Sequence, residues 1–173
     1  HLPMCEYCSS SDITKIRSSA EPEALLYLHM QTAEQSMGMT ESTNLLNACY
    51  QVGFTKEDIN KFIAINQRPI YGDNGLPLSV VNLVYNLADL NLSTTCGEGA
   101  GLSLIESQAC GIPSMAPAHS SIPEMLGDTG YIINNSATFS MGLDAGNSRP
   151  IIDEEEAVLT LKNIYQKHQN LKH

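Results

Sequence analysis

Five short apolar runs punctuate the chain, at Ala24–His29, Phe62–Asn66, Leu90–Thr94, Pro113–Ala116 and Gly130–Ile133, and helical patterns lie between them. Apolar runs of this length without polar alternation are what strands covered on both faces look like, and such strands belong to parallel sheets layered by helices. Leu45, Leu46, Cys49 and Val52 recur at helical spacing before Gly53. Thr55-Lys-Glu-Asp58 is a capped turn that opens a short helix, and Ser79 is expected to cap another that carries Val80, Val81, Leu83, Val84, Leu87 and Ala88 and closes at Asp89. A glycine-rich segment leads into a helix ending at Cys110–Gly111, and Ile122–Leu126 is a further short one. Asp153 caps a final helix through Gln169, with Glu154, Glu155 and Glu156 in its first turn and Lys162, Lys167 and Lys172 toward its end, the order the helix dipole favours. Residues 1–23 are polar and Ser-rich, with a short strand at Met4–Cys8. The expectation is a three-layer α/β domain over 24–173 with a mostly parallel sheet. In such sheets ligands sit beyond the carboxyl ends of the strands, which directs attention to the loops after His29, Asn66, Thr94 and Ala116.

A chain of 173 residues, 42% hydrophobic and 16% charged, is long enough for one domain with a core of its own. Its formal charge of −10 disfavours nucleic acid and anionic membrane surfaces, so any phosphate must be held locally. Five cysteines, at 5, 8, 49, 96 and 110, are odd in number and irregular in spacing, which reads as reduced thiols in a cytoplasmic protein. Cys5-Glu-Tyr-Cys8 has no second Cys or His pair at matching distance, so no metal is expected. No apolar run approaches the roughly 18–20 residues of a membrane span, and nothing resembles a signal peptide. The chain opens on His1 rather than Met, and the expectation is a piece of a longer protein.

The densest chemistry lies in Cys96-Gly97-Glu98-Gly99-Ala100-Gly101-Leu102. Three glycines in five residues let the backbone turn sharply and bring amides to a helix N-terminus, where dipole and N–H groups together hold an anion. The pattern is neither G-x-G-x-x-G nor a P-loop. Glu98 lies in the loop; Glu106, with seven residues between the two, lies a turn and a half inside the helix, on the side of Ser103 and bordering an apolar stripe of Leu102, Ile105 and Ala109. At about 1.5 Å of rise per helical residue the two carboxylates are roughly 10 Å apart, too far for one shared metal ion or proton. The spacing suits a nucleotide sugar, with hexose hydroxyls toward Glu98, diphosphate on the amides of Gly99, Ala100, Gly101 and Leu102, and the ribose diol toward Glu106. The plainer alternative is a solvated charge at each position and glycines that only turn the chain.

Leu83-Val-Tyr-Asn-Leu-Ala-Asp89, Leu92-Ser-Thr-Thr95, Gly97-Glu-Gly-Ala-Gly-Leu102, Ile105-Glu-Ser-Gln-Ala-Cys-Gly-Ile-Pro113 and Ile122-Pro-Glu124 together resemble the C-terminal, donor-binding half of retaining glycosyltransferases of the GT-B architecture, the large family-four group. The resemblance runs from Ala24 to Ile133, and its most specific part is the Glu-x7-Glu stretch. It implies a Rossmann-like domain, one half of a GT-B enzyme, facing an N-terminal domain that binds a glycan, lipid or protein acceptor. It further implies sugar transfer with retention, no essential metal and no cofactor beyond the nucleotide-sugar substrate. Glu98 would contact the donor sugar as the catalytic residue, and Glu106 the ribose. The parent enzyme would be cytoplasmic, with peripheral membrane association left open.

Two departures stand out. Ala100 replaces the family's usual aromatic residue, and the Arg and Lys that clamp the diphosphate in that family have only Lys15 and Arg17 as early candidates, both also readable as ordinary surface charges. The loop Gln67–Gly72, with Ile70 and Tyr71, is expected to meet the base or else to be a plain connection. His29 and His119 end or follow strands on the ligand side and read as polar caps, with participation in the site as the alternative. The weak clamp keeps a second reading in view, a non-catalytic binding or assembly module on the same scaffold.

Overall fold

The structure, a computed structural model, describes residues 24–28, 45–65, 77–140 and 146–171. The expectations at Met4–Cys8, Lys15, Arg17, His29 and Gln67–Gly72 lie outside those residues. The described chain is mixed α/β with parallel sheets and divides into two compact units, His1–Val81 and Asn82–His173. Among the described residues no helix is long and apolar enough to cross a membrane.

In the first unit β1 (Leu26–Leu28) pairs in parallel with β2 (Ile63–Ile65), Leu26 opposite Ile63. Between them lie α1 (Leu45–Gln51) and α2 (Lys56–Phe62). The start of α2 follows its local chemistry. The Thr55 hydroxyl accepts from the Asp58 amide at 3.2 Å, and the Asp58 carboxylate accepts from the Thr55 amide at 2.7 Å, a reciprocal pair that satisfies two otherwise orphaned donors. Cys49 of α1 and Ile59 of α2 are buried together, with Phe54 and Ile63 against them.

Helix α3 (Leu78–Leu87) begins one residue before Ser79, which is therefore inside the helix and not its cap. The carbonyl of Pro77 accepts from the amides of Val80 and Val81 at 2.8 and 3.1 Å, and a proline suits a helix start because its ring presets φ. The helix ends at Leu87, two residues short of Asp89, and buries none of its side chains fully.

The second unit is built on a parallel sheet of order β3-β4-β5, with β3 at Asn91–Leu92, β4 at Ser114–Pro117 and β5 at Tyr131–Ile133. Helix α4 (Leu102–Ala109) connects β3 to β4, and α5 (Ile122–Leu126) with a 3-10 turn connects β4 to β5. All four residues of β4 are buried, as a central strand in a parallel sheet requires. Leu104, Ala116, Ile122 and Leu126 form the core cluster, and each large member contributes roughly 1.5–3 kcal/mol by leaving water.

An antiparallel hairpin follows, β6 (Asn135–Ser140) and β7 (Ser148–Ile152), which the sequence pattern did not announce. Its base is tied to the last helix, α6 (Glu154–Leu171): the Glu156 carboxylate accepts from the backbone and side-chain amides of Asn134 at 2.7 and 3.2 Å. Asp153 caps α6 as expected, its carboxylate accepting from the Glu156 amide at 3.0 Å.

Candidate functional site

The loop between β3 and α4 is held by its carbonyls. The Thr95 hydroxyl donates to the Gly97 carbonyl at 2.9 Å, and the Ser120 hydroxyl donates to the Glu98 carbonyl at 2.6 Å with Ser121 behind it at 3.4 Å. A long 3.5 Å contact runs from Arg149 Nη1 to the Cys96 carbonyl. Three successive carbonyls thus face donors from the loop itself, the turn after β4 and the hairpin. Since N–H and C=O point opposite ways across a trans peptide, anchoring the Gly97 and Glu98 carbonyls also sets the direction of the Glu98 and Gly99 amides. Ser120 makes its bond from a left-handed backbone, φ 55°, which costs a non-glycine residue of order 1 kcal/mol. Strain of that kind persists where the surrounding contacts over-determine it.

Gly101 ends the loop. Its φ of 57° and ψ of 44° are left-handed, and a Cβ there would come within 3.3 Å of Leu104 Cδ1 and 3.5 Å of Glu98 Cγ, so a side chain meets both strain and crowding. No side chain caps α4 at this end.

A hollow of about 450 Å³ opens beside the loop. Gly97, Glu98 and Gly99 form one wall, His119 and Ser120 of the turn after β4 a second, and Asn147 to Arg149 at the entry to β7 a third. Of the residues singled out from the sequence, Glu98 and Gly99 line it. Glu106 does not; it is exposed on α4, as are Ala100 and Leu102 beyond the wall, while Gly101 is buried under them. Lys15, Arg17 and Tyr71 lie outside the described residues.

No protein-family model matches this chain, and no curated protein does. The site therefore rests on its own geometry.

The buried face of α4 is not the expected stripe. Leu102, Ile105 and Ala109 are exposed, and Leu104 and Ser107 are buried instead. Ser107 goes inside because a directed chain satisfies it: Asn91 Nδ2 donates to Ser114 Oγ at 3.1 Å, Ser114 to Ser107 Oγ at 3.2 Å, and Ser107 to the Ile112 carbonyl at 2.9 Å. The same asparagine reaches the Ser103 carbonyl at 3.2 Å and so ties α4 to β3. Gln108 adds hydrogen bonds to the Leu126 carbonyl at 3.2 Å and to Thr129 Oγ1.

Glu106 is oriented by Tyr85 of α3, whose hydroxyl donates to its Oε2 at 3.0 Å. Burial of the phenol, then the hydrogen bond to Glu106 and that group's negative charge, with Cys110 close by, push the Tyr85 pKa up to about 12. A raised folded pKa means that the contact contributes in full below the ordinary phenol value of about 10 and is lost as pH rises through 12. In an alkaline ultraviolet titration Tyr85 is expected to ionise at about pH 12, and Glu106→Gln to lower that value part of the way, leaving the share due to burial. An unchanged difference spectrum between wild type and Tyr85→Phe on adding Glu106→Gln would contradict the contact.

His119, which follows β4 on the side where a ligand is expected, lines the hollow. Arg149 gave no local signal beyond being a cation in a chain with nine Lys and Arg in all. Among the described residues no three His, Cys, Asp or Glu side chains converge as a metal site.

Proposed function

We propose that this chain is the nucleotide-sugar-binding domain of a retaining glycosyltransferase, a three-layer Rossmann-like half of a GT-B enzyme whose acceptor is bound mainly by another domain. The observation that supports the reading is the placement of Glu98. Its backbone is held by Ser120 and Ser121, it lines a hollow with glycines on either side, and helix α4 starts three residues beyond its neighbour Gly99. A carboxylate held in this way can accept from sugar hydroxyls while amides at the helix start meet a phosphate. Glu106, further along α4 and oriented by Tyr85, is then the acceptor for the ribose diol. In this reading Glu98 positions the donor sugar at the reacting carbon, and stabilisation of the departing diphosphate is the largest protein contribution to transfer.

The test is thermal unfolding of the full chain with UDP, GDP and ADP and with their hexose conjugates. A ligand at about 100 times its Kd stabilises by about 2.7 kcal/mol. Glu106→Ala is expected to reduce the shift from both free nucleotide and conjugate, and Glu98→Ala to reduce only the additional shift that the sugar gives. No shift with any of these ligands would overturn the reading.

A further inference from the structure

We propose that Ser120 is a specificity-determining residue of the hollow, one that selects ligands by a hydroxyl able to donate a hydrogen bond to it. Ser120 is alone among the described non-glycine residues in having a positive φ, 55°. A glycine would take that backbone without strain, so a serine is held there by what its side chain does. Its hydroxyl lies 2.6 Å from the Glu98 carbonyl oxygen. A carbonyl has no proton, so the hydroxyl is the donor, and a hydroxyl has one proton to give. What remains on Oγ is lone pairs. The Ser121 hydroxyl stands 3.4 Å from the same carbonyl, beyond the ordinary length of such a bond, which leaves Ser120 as the principal donor. Ser120 is exposed and lines the hollow together with Glu98, whose carboxylate likewise only accepts. The bond that commits the Ser120 proton also ties its turn to the residue that carries the carboxylate, so the two acceptors are held as a pair. The hairpin wall differs, since Asn147 has both donors and an acceptor. Two acceptors on adjoining walls leave a carbonyl, an ether or a fluorine unmatched and suit neighbouring hydroxyls, which donate. That pattern describes a polyol, a sugar or a cyclitol. As a statement about the sugar of a nucleotide sugar it rests on the function proposed above; as a site for polyols it rests on the hollow alone.

The test is an NMR titration of the isotope-labelled full chain with glucose, galactose, mannose and myo-inositol, followed by the singly deoxyfluorinated forms of whichever binds most tightly. At least one of the four is expected to shift the amide signals of Glu98, Gly99 and Ser120. One of its fluorinated forms is expected to bind about 2- to 10-fold more weakly than the parent, the range for one hydrogen bond, because fluorine cannot donate. In Ser120→Gly the parent weakens by a similar factor and the penalty for that fluorine disappears, the coupling that a cycle between ligand hydroxyl and side chain measures. The melting temperature changes little in this variant, since relief of the strained φ offsets the lost bond. Ser120→Asn, which tolerates a left-handed backbone and has both a donor for the Glu98 carbonyl and an acceptor left over, retains part of the discrimination. A merely structural serine would instead weaken every analogue alike. Absence of amide shifts with all four polyols, or the same discrimination between analogues in wild type and Ser120→Gly, overturns the proposal. If nucleotide sugars bind in a Glu106-dependent way while Ser120→Gly discriminates as wild type does, the role of Ser120 alone falls. If polyols bind through Ser120 but nucleotide conjugates bind no more tightly than the free sugars, the donor-domain reading falls and the polyol site stands.

Discussion

Leu126→Ala is expected to lower the unfolding free energy by about 2–5 kcal/mol, read from urea denaturation. Leu126 is 1% exposed and packs with Leu104, Ala116 and Ile122, so truncation leaves a space that β4 and α4 enclose. The consequence extends to the site. Leu104 lies beneath Gly101, and the same point is close to Glu98 Cγ, so the cluster is the floor on which the loop rests. A loss below about 1 kcal/mol would mean that this floor is loosely packed.

Gly130→Ala is the second large effect, about 1–3 kcal/mol by overpacking. Gly130 has φ −126°, a conformation open to any residue. What forbids a side chain is space: a Cβ would lie 2.8 Å from the Ser114 carbonyl oxygen, 2.9 Å from Leu126 Cδ2 and 3.2 Å from Leu126 Cβ. The first of these atoms belongs to the backbone of buried β4 and cannot swing aside. In a Leu126→Ala background one of the three contacts disappears, so Gly130→Ala should cost less there than in wild type, a positive coupling that a double-mutant cycle in urea measures. Additive losses would place the strain at the two contacts that remain, the Ser114 carbonyl oxygen and Cβ of residue 126.

Much of the element order was legible because it depends on neighbouring residues. The Thr55–Asp58 capping pair, the Asp153 cap and the helix at Ile122–Leu126 are written within a few residues and appear where the local chemistry puts them. The five apolar runs became strands, and every pairing between them that the structure describes is parallel. The hairpin was not legible. Asn135–Ser140 lacks alternation, residues 136–140 are all exposed, and a register shift between Asn135 and Ala137 breaks the pairing pattern. Its strands hold together through a partner that sequence spacing does not reveal.

The orientation of α4 shows a second limit. Helical periodicity identifies which residues share a face, and the face made of Leu102, Ile105 and Ala109 looked the more apolar. The face that went inside carries Ser107, because Ser114 on β4 and the Ile112 carbonyl supply its hydrogen bonds and Leu104 fits the space left by Ile122 and Leu126. Hydrophobicity ranks faces one residue at a time; burial is decided by what the neighbouring elements can satisfy.

The same division holds for the site. Local sequence sufficed to mark the glycine loop, Glu98 within it and Glu106 on the helix after it, because turning, helix initiation and spacing along a helix are short-range properties. Only the tertiary structure decided that Glu98 faces a hollow while Glu106 is held apart by Tyr85. It also brought a basic group to a loop that seemed to lack one. Arg149 is 52 residues beyond Gly97, and its approach depends on where a hairpin closes, on Glu156 holding Asn134 at the hairpin's base, and on the missing Cβ at 97. Contacts over such separations are set by chain closure and packing, which no local pattern encodes.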